Sequence, residues 1–191
     1  TGYTVESISN KLYTDKDFTF SGDATVKGTN AGSYDMKLKA SDFTNSNANF
    51  TNVEFVIVDG TLEIAKRSIT LTSADDEKAY DGTALTNDKV TVGGDGFAEG
   101  EGAAYDVTGS QTNAGESNNT FTYTLNEGTN ADNYDITKVE GTLKVTPVTD
   151  EVVVTIKEHD GTAKYDGTEK TVTGYTVESI SNKLYTDKDF T

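Results

Sequence analysis

The chain has 191 residues, 34% of them hydrophobic, with 32 Asp and Glu against 16 Lys and Arg and a net charge of −16. Such an acidic surface, with no Lys/Arg cluster able to neutralise several phosphates, excludes nucleic acid and anionic lipid headgroups as partners. The absence of cysteine excludes a disulfide-stapled scaffold and a thiolate metal site, and no apolar run approaches the roughly 20 residues of a membrane span.

Low hydrophobicity and high charge favour disorder, but 10 Tyr, 8 Phe and many Val, Ile and Thr supply the residues that pack strands. The chain therefore reads as all-β. It opens with Thr1–Thr19, TGYTVESISNKLYTDKDFT, which lacks the basic start and apolar core of a signal peptide and is expected to lie inside a longer protein. In Tyr34-Asp35-Met36-Lys37-Leu38 the period of two sets Tyr34, Met36 and Leu38 on a buried face and Asp35 and Lys37 in water. Val53–Val58 and Leu62-Glu63-Ile64 flank Asp59-Gly60, where a tight hairpin is expected. Ser68-Ile69-Thr70-Leu71 opens the next run, and Asp75–Ala79 is the best helical candidate in a chain expected to hold only single helical turns. Phe121–Leu125 alternates as a strand, Glu140-Gly141 precedes Leu143-Lys144-Val145 as a second expected hairpin, and Val152–Ile156 begins the last strands. Both hairpins would make the strands they join antiparallel neighbours.

Repetition organises these elements. Thr1–Thr19 recurs unchanged as Thr173–Thr191, a period of 173 − 1 = 172 residues. Inside it Tyr80-Asp81-Gly82-Thr83 returns as Tyr165-Asp166-Gly167-Thr168, a shift of 165 − 80 = 85. Thr29-Asn30-Ala31-Gly32 returns at Thr112, a shift of 112 − 29 = 83, and Gly60-Thr61-Leu62 returns at Gly141, a shift of 141 − 60 = 81. Each period is thus expected to hold two divergent modules: residues 68–147 form a complete one, residues 1–67 the later part of its companion, and residues 148–191 the beginning of the next. The two 19-residue copies would compete for one place, so at least one is expected to be differently paired.

An opening strand, Tyr-Asp-Gly-Thr, a Thr-Asn-Ala-Gly turn and a closing Asp-Gly-Thr-Leu strand together resemble the YDG/MBG-type tandem repeats of large bacterial cell-surface adhesins. The resemblance covers the whole chain. It implies an extracellular location on the bacterial surface and a stalk or adhesive role in a fibre. Asn30-Ala31-Gly32-Ser33-Tyr34 is similar to the tyrosine corner of immunoglobulin-like sandwiches, so the expected fold is a rod of small antiparallel β-sandwich modules, with β-grasp-like modules as the alternative.

Candidate chemistry is sparse. The one histidine, His159, sits in the turn-like Lys157-Glu158-His159-Asp160-Gly161 and lacks partners for a triad or zinc site. Asp75, Asp76 and Glu77 could offer oxygens to Ca²⁺, but a calcium site needs about six to eight of them from several segments, and no metal or cofactor is expected. Tyr80, Asp81, Gly82 and their counterparts Tyr165, Asp166, Gly167 read as structural turns, and Tyr34 as a structural ring. No nucleophile, base and orienting group assemble, so no enzyme is expected. The expected role is a stalk or spacer repeat whose partners are neighbouring copies. The alternative is a repeat that itself binds a host glycan or protein, a mucin-like ligand, weakly per copy and with avidity from many copies.

Overall fold

The computed structural model describes residues 2–191. Described in chain order, the strands are β1 Phe18–Phe20, β2 Gly32–Asp35, β3 Phe43–Asn45, β4 Thr61–Ile64, β5 Arg67–Ser73, β6 Asp76–Ala79, β7 Val90–Gly94, β8 Ala103–Val107, β9 Gly115–Asn119, β10 Phe121–Leu125, β11 Tyr134–Val139, β12 Gly141–Thr146, β13 Val154–Glu158 and β14 Tyr175–Ile180. Helix is confined, among the described residues, to single 3-10 turns at Ala40–Asp42 and Ala131–Asn133. The chain is all-β, as the Val, Thr and aromatic content demands.

The strands form small sheets in the orders β1-β3, β2-β4, β11-β5-β7, β10-β8, β6-β12-β9 and β13-β14. Two compact units share them, one comprising Thr1–Leu71, Val92–Ala104 and Thr124–Lys138, the other Thr72–Thr91, Tyr105–Tyr123 and Val139–Thr191.

The first unit is held by aromatic rings. Tyr3, Phe18, Phe20, Phe43 and Phe55 pack with centroids 4.9 to 5.9 Å apart, a spacing at which edge and offset contacts add to area burial. Tyr13, buried, meets Phe50 edge-on and donates from its hydroxyl to Asn45 Oδ1 at 3.1 Å. Tyr134 packs against Phe97 and, through its hydroxyl, accepts from the Ala98 amide and bonds Glu101. From β2 into the residues after it the alternation holds, with Tyr34, Met36 and Leu38 half-buried and Asp35 and Lys37 exposed.

The second unit contains an aliphatic cluster. Leu85, Leu143 and Val145 cluster with Tyr80 against them. Of the polar groups sealed into this unit, Ser73 Oγ donates to the Asn119 carbonyl at 2.6 Å and Asn119 Nδ2 donates to the carbonyls of Ala74 and Asn87, while Asn119 Oδ1 is buried without a hydrogen-bond partner. Each bond satisfies a group that would otherwise lose its water without compensation.

Two sequence expectations need correction. Asp75–Ala79 is not helical, since Asp76–Ala79 is β6, paired parallel with β12 in the register Leu143↔Asp76 to Thr146↔Ala79. Tertiary pairing overrode the weak local preference. The expected hairpins are also absent. β11 and β12 lie in different sheets, and β4 pairs antiparallel with β2. A two-residue hairpin needs positive φ at its turn, and neither Gly60 nor Gly141 has it. Gly141 instead opens β12, and Gly60 directly precedes β4.

Candidate functional site

The recurring Tyr-Asp-Gly-Thr segments each build a polar constellation around an aspartate. Asp81 Oδ1 accepts from the Thr83 amide at 2.9 Å, from Thr83 Oγ1 at 2.7 Å and from Lys78 Nζ at 2.7 Å. Gly82, at φ +80, makes the turn that lets Thr83 reach back. Asp166 repeats the pattern, accepting on Oδ1 from the Thr168 amide and hydroxyl and on Oδ2 from Lys170 Nζ at 2.6 Å, with Gly167 at φ +75. The lysines were not singled out in the sequence because they stand on opposite sides of the aspartate, three residues before Asp81 and four after Asp166. The carboxylates do the same work from different directions.

The Lys78 ammonium, followed by the Thr83 hydroxyl and amide, holds the Asp81 carboxyl far below the usual carboxylate range. Lys170 and then Thr168 lower Asp166 in the same way. A carboxylate whose folded pKa is depressed stabilises the fold above its unfolded value of about 3.9, and that contribution disappears only as pH falls through the lower folded value. In a carboxyl-carbon NMR titration, Asp81 and Asp166 should therefore still be ionised when most other Asp residues have protonated, and Lys78→Gln should raise the Asp81 midpoint. Titration of Asp81 together with the exposed bulk would show that the ion pair does not form.

The tyrosines of the two turns part company. Tyr80 packs against the Leu85, Leu143 and Val145 cluster, whereas Tyr165 is 97% exposed. Tyr34 donates from its hydroxyl to the Asn30 carbonyl at 2.9 Å, four residues upstream.

The acidic trio is occupied by the fold. Asp75 Oδ1 accepts from the Thr142 amide, Asp76 Oδ2 from Asn87 Nδ2, and Glu77 pairs with Lys144 at 3.4 Å. Among the described residues no group of three or more His, Asp and Glu is placed to hold a metal ion. His159 is exposed beyond β13, with Nδ1 3.1 Å from the Thr173 carbonyl and Nε2 3.2 Å from Thr176 Oγ1.

The sequence reading also passed over the asparagine turns. Asn133 Oδ1 accepts from the Ala31 amide at 2.8 Å and its Nδ2 donates to Asn30 Oδ1 at 3.1 Å, joining the Thr-Asn-Ala-Gly turn to the Asn130–Tyr134 turn. Comparing Asn47-Ala48-Asn49-Phe50 with Ala131-Asp132-Asn133-Tyr134 would have flagged it, since both end in an asparagine before a packed ring. No family model matches the chain, and neither does any curated protein or solved structure.

The two 19-residue copies have the same local turns and different surroundings. Asp17 and Asp189 each accept on Oδ2 from the amide and hydroxyl of the threonine three residues earlier, Thr14 and Thr186. Tyr13 and Tyr185 each donate to the carbonyl four residues on. Yet Tyr175–Ile180 is a strand paired with β13, while the identical residues at the other end of the chain form none. Conversely Tyr13 is buried on Phe50, and Tyr185 stacks only on its near neighbour Phe190. The copies are differently paired.

Proposed function

We propose that this chain is a run of structural repeats, a stalk or spacer of a bacterial cell-surface adhesin or fibre, built from small immunoglobulin-like sandwich modules. The observation that carries this reading is the amide bonding of Asn133, in one sequence module, to Asn30 and Ala31 of the module before it. In repeat arrays, contacts between nearest neighbours set stiffness. Lys66 and Asp135 add a 3.7 Å ion pair between the same modules, exposed enough to contribute little.

The immunoglobulin-like reading draws on the Tyr34 hydroxyl, which bonds back to the Asn30 carbonyl as in a tyrosine corner.

Small-angle scattering from a chain carrying two consecutive 172-residue periods tests the spacer role. The maximum dimension should grow nearly in proportion to the number of periods, and Asn133→Ala should broaden its distribution. An unchanged dimension would end the spacer reading. Mucin-glycan binding by a single period, at about millimolar affinity or better, would support a ligand-binding repeat in its place.

A further inference from the structure

Each period of the sequence has two joints between modules, and they are not alike. The closing Gly-Thr-Leu motif returns after 81 residues and the early Tyr-Asp-Gly-Thr motif after 85, so the chain between a closing strand and the next opening strand is 85 − 81 = 4 residues longer at the second joint. In the structure β4 ends at Ile64 and β5 begins at Arg67, leaving only Ala65 and Lys66 between them. β12 ends at Thr146 and β13 begins at Val154, leaving residues 147–153, a stretch of 153 − 146 = 7 that starts with the chain's one proline.

The short joint is held from both sides. β5 lies between β11 and β7 in its sheet. From β11, Asp135 pairs with Lys66 at 3.7 Å. Beyond the end of β7, the chain's one arginine, Arg67, donates from Nε to the Gly96 carbonyl at 2.8 Å and from Nη2 to the Asp95 carbonyl. A planar guanidinium with two donors engaged is fixed in orientation as a single ammonium is not. Asn133, just ahead of β11, adds its bonds to Asn30 and Ala31.

The second joint keeps the frame and loses these tethers. The Ser68 amide donates to Asp95 Oδ2 and the Asp95 amide to the Ser68 carbonyl, both at 2.8 Å. In the same way the Val153 amide donates to Ser181 Oγ at 2.9 Å and the Ser181 amide to the Val153 carbonyl at 3.0 Å. Val153 thus stands where Ser68 stands, 153 − 68 = 85 residues on, which puts Glu151 in the place of Lys66 and Val152 in the place of Arg67. Neither side chain can pair with a carboxylate or donate to a loop carbonyl. Of the three tethers only the asparagine pair keeps its residue types, at Asn113 and in the next copy of Asn49, and such bonds are weak once the water they displace is counted. The differences lie in residue identity and linker length, so they recur in every period.

We propose that residues 147–153 are a hinge, and that a run of these repeats is a series of stiff module pairs, each joined through Ala65-Lys66, bending against one another at every second joint. This hinge presupposes the spacer reading and adds where the rod bends.

The absence of cysteine allows spin labels at chosen sites. In a chain of two consecutive periods both kinds of joint lie between complete modules. Asp106→Cys of the first period with Thr44→Cys of the second spans residues 147–153, and Thr44→Cys with Asp106→Cys, both of the second period, spans Ala65-Lys66; both positions are exposed. Pulsed electron resonance should give a distance distribution at least about twofold wider across the long joint, because the reach of a flexible linker grows as the square root of its length and the linkers have seven and two residues. Lys66→Gln with Arg67→Gln in the second period should widen the narrow distribution, with circular dichroism showing that the strands are kept. Equal widths across the two joints, or a short joint unmoved by the two glutamines, would overturn the hinge. Either failure leaves the growth of length with period number untouched, so it is distinguishable from failure of the spacer reading.

Discussion

Leu143→Ala should lower the unfolding free energy by about 2–5 kcal/mol, the range for emptying a fully buried leucine site, because Leu143 is 0% exposed in the cluster with Leu85 and Val145. Leu62→Ala, at the same position of the same motif, should cost only about 1 kcal/mol, since a half-covered side chain has roughly half the transfer energy to lose. Denaturant titrations of the two variants at low protein concentration give the comparison. Equal losses would mean that Leu62 is already sealed.

The glycine that begins the motif gives the second contrast. A Cβ on Gly141 would lie 2.4 Å from the Ser73 carbonyl oxygen and 2.6 Å from the carbonyl of Ala74. These are backbone atoms and cannot turn aside. Moving β12 away would also break the bond from the Gly141 amide to Ser73 Oγ at 2.9 Å, and with it the pairing of Ser73 to the buried Asn119. Overpacking and lost buried hydrogen bonds together make Gly141→Ala destabilising by about 3 kcal/mol or more. At Gly60 the nearest atom to such a Cβ is Met36 Cε at 4.0 Å, and φ is not positive. Gly60→Ala should be neutral or stabilising by about 0.5 kcal/mol through the unfolded chain. Thermal midpoints by circular dichroism separate the two, and a stable Gly141→Ala protein would mean that β12 does not press on the Ser73–Ala74 backbone.

What was legible in the sequence was whatever depends on neighbours in the chain. Alternation put Tyr34 and Met36 on one face, and Asp-Gly with a following threonine announced the turns at Asp81 and Asp166, because both are settled within a few residues. What was not legible depends on distant pairing. Asp76–Ala79 has no apolar alternation, and only its seat on β12 makes it a strand. Glu140-Gly141 looked like a hairpin, yet the contact of Gly141 with residues 73–74 sends it to another sheet. The lysines of the two Asp turns escaped notice because the repeat shift does not align them, and Asn119 because nothing local distinguishes a buried asparagine from its exposed neighbours.

The parallel pairing of β6 with β12 bears on how the central segment answers force. β6 lies near its beginning and β12 at its end, so tension applied at residues 68 and 147 draws the two strands past each other along their length. In that geometry the inter-strand bonds from Leu143–Asp76 to Thr146–Ala79 share the load and must yield together. An antiparallel hairpin pulled at its open end instead unzips one bond at a time. The closing strand thus acts as a mechanical clamp, with Tyr80 and Leu143 behind it in a dry cluster that water must enter before the clamp can slip.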